Sequence, residues 1–287
     1  MTAKENAVKI GIQQTTLGEV SLARCFLRAK RAGADGVGLC YRTAADAALL
    51  EDPAHAAKVR RLVERYRLAV TGLHLGVLCA EPSLIGPDSS LVARSQELIR
   101  RAIAVAASVG GVDVIVPFYG RNRIELPKEL DTAAASMSAL APAAEDQGLM
   151  LAVESSLHLG QIESLLGGCC SDSVQVCLDV GDVTACRRDS ADMILGLGRD
   201  RVAQVHIKDV CLVSGLPPDF NVRLGHGSVC FGAVAHALRS VEYEGWLVLE
   251  TPPGDERGAI TAAHVQDARA LLPGRQASDS GSVALRA

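Results

Sequence analysis

Aromatic side chains are scarce in this chain of 287 residues: four Phe, four Tyr and one Trp make up 3% of it. With a hydrophobic share of 48%, a core must be built from Ala, Val, Leu and Ile, as in strands covered by helices on both faces. An excess of positive charge is also missing, since Lys and Arg number 29 against 33 Asp and Glu, a formal net charge of -4. That balance argues against a general nucleic-acid or anionic-membrane surface, which needs clustered positive charge. It leaves a small molecule as the expected partner. No apolar run approaches the ~20 residues a membrane helix needs, and the opening MTAKENAVKI carries no apolar signal region. The expectation is a cytoplasmic protein.

A cysteine framework is absent too. Nine cysteines, an odd number, are scattered through apolar runs with no CxxC repeat, so they read as reduced thiols serving as small core hydrophobes. A dinucleotide fingerprint is also lacking: the first apolar run, VKIGIQQ, is followed by TTLGEV rather than a GxGxxG loop.

What the chain does contain is a regular alternation. Short β-branched runs near 8–14, 35–41, 68–75, 112–118, 149–154, 174–180, 202–208 and 246–251 read as strands. Longer Ala-, Leu- and Arg-rich segments near 21–32, 54–67, 90–110, 131–147, 159–167, 190–198, 231–241 and 258–272 read as helices. Eight strand-then-helix units predict an α/β chain forming a single (β/α)8 TIM barrel over 1–272. The segment 273–287 loses apolar periodicity and reads as a disordered tail.

In such a barrel the chemistry lies where strands finish. Strand five ends in Glu154, strand six in Asp179, strand seven carries His206 and strand eight ends in Glu250. A lone Asp after a strand is more often a helix cap, and a lone strand His a satisfied core residue. Four such residues on four consecutive strands converge instead on one point. Three carboxylates there would repel by several kcal/mol unless a cation or protons intervened. Oxygen-rich ligation with one imidazole suits Mn²⁺, Mg²⁺ or Co²⁺ better than structural zinc. Around this centre, His74 ends strand three and either meets substrate or packs among Leu side chains. Lys208 shares the strand parity of His206, and either faces the mouth or pairs with a rim acid. Arg121 and Arg123 read first as surface residues, His158 as a loop residue.

Five segments together resemble the xylose-isomerase-like TIM barrels, a superfamily of sugar and sugar-phosphate isomerases and epimerases. They are LAVES (151–155), CLDVGD (177–182), VHIKD (205–209), LGHG (224–227) with the following Phe231, and LVLE (247–250). The resemblance covers residues 8 to about 272. It implies that Glu154, Asp179, His206 and Glu250 bind a divalent metal, Mn²⁺ first, and that Arg223 contacts substrate oxygens. It also implies that Glu154 and Glu250 remove and return a proton next to a ketone through a metal-stabilised enediolate. Departures stand at Gly38, Gly160 and His226, where relatives often carry Glu, and at Asp182, where ketohexose 3-epimerases commonly carry His. They argue against a standard free-ketohexose epimerase. Asp182 is left with three roles: orienting a ligand, contacting substrate or capping the next segment.

The leading expectation is a metal-dependent isomerase or epimerase of a sugar, sugar phosphate or related polyhydroxy ketone. A lyase on the same scaffold, of the 3-dehydroshikimate or inosose dehydratase kind, and a non-catalytic ligand-binding barrel are the alternatives. Apolar helical surface such as 98–109 would tolerate a homo-oligomer interface.

Overall fold

The computed structural model describes residues 8–18, 20–81, 83–253 and 259–272, so the tail expected at 273–287 lies outside the described residues. Eight parallel strands close into a barrel in sequence order. They are β1 (Lys9–Gln13), β2 (Gly36–Cys40), β3 (Ala69–His74), β4 (Asp113–Phe118), β5 (Met150–Ser155), β6 (Val174–Asp179), β7 (Val202–Ile207) and β8 (Trp246–Leu249). The ring is sealed by β8 pairing with β1, Leu249 opposite Ile12. Each strand matches an apolar run because a parallel strand in this fold is covered on both faces; all six residues of β4, for example, are buried.

The helices are α1 (Leu22–Ala32), α2 (Ala44–Ala48), α3 (Pro53–Tyr66), α4 (Ser89–Val109), α5 (Pro127–Ser138), α6 (Ala141–Glu145), α7 (Leu159–Cys169), α8 (Val180–Ala185), α9 (Ser190–Leu197), α10 (Phe231–Ser240) and α11 (Ala259–Leu271). Side-chain caps start several of them: Asp52 accepts from the N–H of Ala54, Asp88 from those of Ser90 and Leu91, and Asp189 from those of Ala191 and Asp192. Two departures from the expected pattern have local causes. The helix read over 131–147 is two, because Pro142 has no N–H to donate and its ring would clash with the Ser138 carbonyl of a continuous helix. A short helix, α8, begins directly after Asp179 with that residue as its N-cap.

The large core lies between strands and helices, while Ile115, Ala152 and Cys177 form a small separate cluster. Ala152 and Cys177 sit two residues before Glu154 and Asp179, hence on the same faces of their strands, and form an apolar floor one layer below them. Register then sets the height of the polar ends. A shift between Val176 and Cys177 in β6 brings Asp179 opposite His206 of β7, and β4–β5 pairing sets Glu154 beside Pro117. No helix among the described residues is long and apolar enough to cross a membrane.

Candidate active site and metal centre

The four strand-end residues meet. Glu154, Asp179, His206 and Glu250 each offer a ligand atom, and these atoms all lie within 4.8 Å of one another. Glu154, Asp179 and His206 are buried, whereas the Glu250 side chain is 23% exposed and faces the open mouth. His206 Nδ1 lies 2.9 Å from Glu154 Oε1 and 3.3 Å from Glu250 Oε2. Yet His206 Nδ1, Glu154 Oε1 and Asp179 Oδ2 are all buried without an aligned hydrogen bond. Their nearest neighbours are the other charged groups of the cluster, in close ion contacts rather than aligned hydrogen bonds. Three such atoms aimed at one point, with a fourth carboxylate alongside, fit a cation of oxygen-preferring character.

Asp179 divides its carboxylate. Oδ1 accepts from the Asp182 N–H at 2.8 Å, capping α8, while Oδ2 turns toward the cluster and Lys208 Nζ at 3.2 Å. Lys208 also reaches Asp182 Oδ1 at 3.0 Å and Glu250 Oε2 at 3.4 Å, with its ammonium over the Phe220 ring. Both Lys208 and Asp182 thus belong to the cluster. His74 joins it from β3: Nε2 is 2.9 Å from Glu154 Oε2, and Nδ1 faces Cys40 Sγ at 3.5 Å.

The charges divide unequally. Burial opposes ionisation of Glu154, but the adjacent His74 and His206 override it and hold the carboxyl down at about 2. Glu250 is likewise held well below the carboxylate range, against its burial, by Lys208 and His206. Asp179 goes the other way: burial, with Asp182 and Glu250 close by, pushes its carboxyl well up despite Lys208. Burial would lower the imidazole of His74, yet Glu154 holds it well above the histidine range, and Cys177, Glu250 and Glu154 do the same for His206. Protons thus occupy part of a site whose donors, once deprotonated, suit a metal.

Arg223 is not brought to this group. Its guanidinium makes a bidentate pair with Asp267 on α11, Nε to Oδ2 at 2.7 Å and Nη2 to Oδ1 at 2.8 Å, and its side chain is 57% exposed. The turn that follows explains the placement. The buried Asp209 carboxylate accepts from the backbone N–H groups of Val210, Gly225, Gly227 and Val229, pinning both ends of the long β7–α10 loop. A Cβ on Gly227 would overlap Asp209 Oδ1, so the Gly-x-Gly spacing of LGHG is that of an anion-centred clamp. His158 caps α7, its Nδ1 accepting from the Gln161 N–H. Arg121 and Arg123 are exposed.

Several groups escaped the sequence reading. Tyr119, just beyond β4, has its phenol pushed far up by burial and by the Asp182, Glu154 and Asp179 carboxylates. Gln13 of β1 pairs in register with Gly38, and its side-chain oxygen fills the space a Cβ at 38 would take. A cavity of about 240 Å³ opens beside β1 and β2, lined in part by Gln14, Cys40, Tyr41, His55 and Lys58. Strand parity could have flagged Gln13; Tyr119, past the end of its strand, left no such signal.

A closed eight-stranded β/α barrel with an acidic, histidine-bearing cluster at the carboxyl ends of its strands is the class defined here. The chain belongs to the xylose isomerase-like TIM barrel family, which matches residues 26–271. No curated protein matches it in sequence. Among solved structures it is similar to an L-ribulose 3-epimerase, with a TM-score of 0.78 and 19% identity over 92% of this chain and 94% of that one. It is also similar to a D-allulose 3-epimerase from Methylomonas sp., with a TM-score of 0.73 and 19% identity over 93% and 99%. A 3-keto-D-glucoside 4-epimerase from E. coli gives a TM-score of 0.70 and 20% identity over 92% and 98%.

Proposed function

We propose that this protein is a divalent-metal-dependent epimerase or isomerase of a sugar, sugar phosphate or related polyhydroxy ketone. The observation that carries it is the convergence of buried ligand atoms of Glu154, Asp179 and His206, none in an aligned hydrogen bond, with Glu250 alongside. Mn²⁺, Mg²⁺ or Co²⁺ held there would polarise a substrate carbonyl and its neighbouring hydroxyl.

The protein's own groups supply the proton chemistry. Glu154 arrives from β5 and Glu250 from β8, so the two carboxylates flank the space between them. Both are held ionised, so either can accept a proton from carbon next to a ketone. Once the other carboxylate has taken up a proton from solvent, its delivery to the far face gives an epimer, whereas return of the abstracted proton to the neighbouring carbon gives an isomer. His74, 2.9 Å from Glu154, is placed to relay the proton Glu154 handles. Lys208 balances the charge of Glu250, Asp179 and Asp182 throughout. The similarity to three sugar epimerases supports the substrate class.

A panel of ketoses and their phosphates in deuterated water, with the protein metal-depleted and then reloaded with Mn²⁺, tests the reading. Deuterium should enter at a carbon beside the ketone only with metal present, and turnover insensitive to chelator would sink the proposal.

A further inference from the structure

A strip of buried polar groups crosses the barrel beneath the ligands, and it has a direction. Gln204 lies two residues before His206, so both project from the same face of β7, and Gln204 is 1% exposed. Its Nε2 donates to Asp113 Oδ2 at 2.9 Å and to the Thr71 carbonyl at 3.3 Å, while its Oε1 lies 3.1 Å from His206 Nε2. A backbone carbonyl can only accept, so the end of the amide facing Thr71 must be the NH₂ group. The end facing His206 is therefore the oxygen, and the nitrogen it meets must carry a hydrogen.

That choice propagates to the mouth. In a neutral imidazole with its hydrogen on Nε2, the lone pair belongs to Nδ1. Nδ1 is the atom that faces Glu154 Oε1 and Glu250 Oε2. Two carboxylates on that side would by themselves favour a hydrogen on Nδ1, the form with no lone pair to give a cation. An acceptor is needed on the opposite side of the ring to counter them. Asp113 is anchored for this purpose at the start of β4, where Gly72 makes the room: a Cβ there would overlap Asp113 Oδ1.

We propose that Gln204, held in one orientation by Asp113 and the Thr71 carbonyl, is a positioning residue that fixes the tautomer and ring plane of His206 so that Nδ1 is offered to the divalent cation. This rests on the metal reading given above. An outer hydrogen-bond partner of a metal-binding imidazole changes metal affinity by roughly 10- to 100-fold when removed.

Two measurements test it on the full chain. Long-range ¹H–¹⁵N correlation of the Zn²⁺-loaded wild-type protein reads the ring of His206 directly: a hydrogen on Nε2 is expected, and a hydrogen on Nδ1 overturns the proposal. Mn²⁺ titration followed by electron paramagnetic resonance compares wild type with Gln204→Leu and Gln204→Glu. Gln204→Leu is expected to bind about 10- to 100-fold more weakly, and Gln204→Glu, which keeps an acceptor toward His206, to recover most of that loss. A folded Gln204→Leu protein with wild-type Mn²⁺ affinity overturns the positioning role alone. Failure of the wild-type protein to take up Mn²⁺ overturns the metal reading as well. Should Gln204→Leu not fold, the wild-type spectrum and Gln204→Glu decide.

Discussion

Asp179 does two jobs with one carboxylate, and the two can be separated by mutation. Oδ1 caps α8 and Oδ2 faces the cluster. Asn is as good an N-cap as Asp, so Asp179→Asn should leave the denaturation midpoint nearly unchanged while weakening Mn²⁺ binding at least about tenfold, as expected for an anionic ligand lost. Asp179→Ala should lose the cap too, at a further cost of about 1 kcal/mol, measured by urea unfolding. Asp113 gives a pH signature. Burial pushes its carboxyl up to about 7, although His206 and Gln204 oppose this, while in the unfolded chain it titrates near 4. The native state thus holds the extra proton between about pH 4 and 7, and stability falls as pH rises through that window, by at most about 1.4 kcal/mol per pH unit. Asp113→Asn, which keeps an oxygen for Gln204, should remove that slope in denaturation midpoints taken across the window. At this scale the sequence was legible only in part. Glu154, Asp179, His206 and Glu250 stood out because each ends or interrupts an apolar run. Gln204 and Asp113 did not, because the bond that gives them meaning joins residues 91 apart in the chain.

Among the elements, strands were the readable part. Burial on both faces writes a parallel strand as an apolar run, and all eight were found to within a few residues. The helix break at Pro142 and the short α8 were not read. The first was hidden by an alanine-rich helical pattern on either side, and the second because VGDVTA has the β-branched look of a strand end. The turn LGHG was recognised as a pattern, whereas its cause, four N–H groups gathered on Asp209, needed the fold. That clamp yields a prediction of its own. In Gly227→Ala the new methyl collides with Asp209 Oδ1 and crowds the Val210 carbonyl at 2.7 Å. Forcing such a contact costs about 1–3 kcal/mol. Faster amide exchange should follow over 210–229, with β5 and β6 unaffected.

Across the molecule, the proposed cation site ties metal uptake to folding. The four candidate ligands come together only when β5 to β8 hold their register, so Mn²⁺ should bind the native state alone and stabilise it by about 2.7 kcal/mol at a hundredfold excess over its dissociation constant. The raised carboxyl of Asp179 and the raised imidazole of His206 must give up protons to bind it. Calorimetry in buffers of different ionisation enthalpy should therefore show proton release, and Mn²⁺ affinity should rise with pH; uptake without proton release would contradict the charge distribution described above.

The barrel mouth is split by origin. All four candidate ligands come from the half formed by β5 to β8, whereas His74, Cys40, Gln13 and the cavity beside β1 and β2 belong to the other half. Changes in the loops after β1 and β2 would therefore reshape the mouth while leaving the four candidate ligands on their own strands, so what the mouth admits and what its acidic cluster does are set by different parts of the chain. Gln13, reaching across into the space beside Gly38, shows how that half of the mouth is lined from a neighbouring strand.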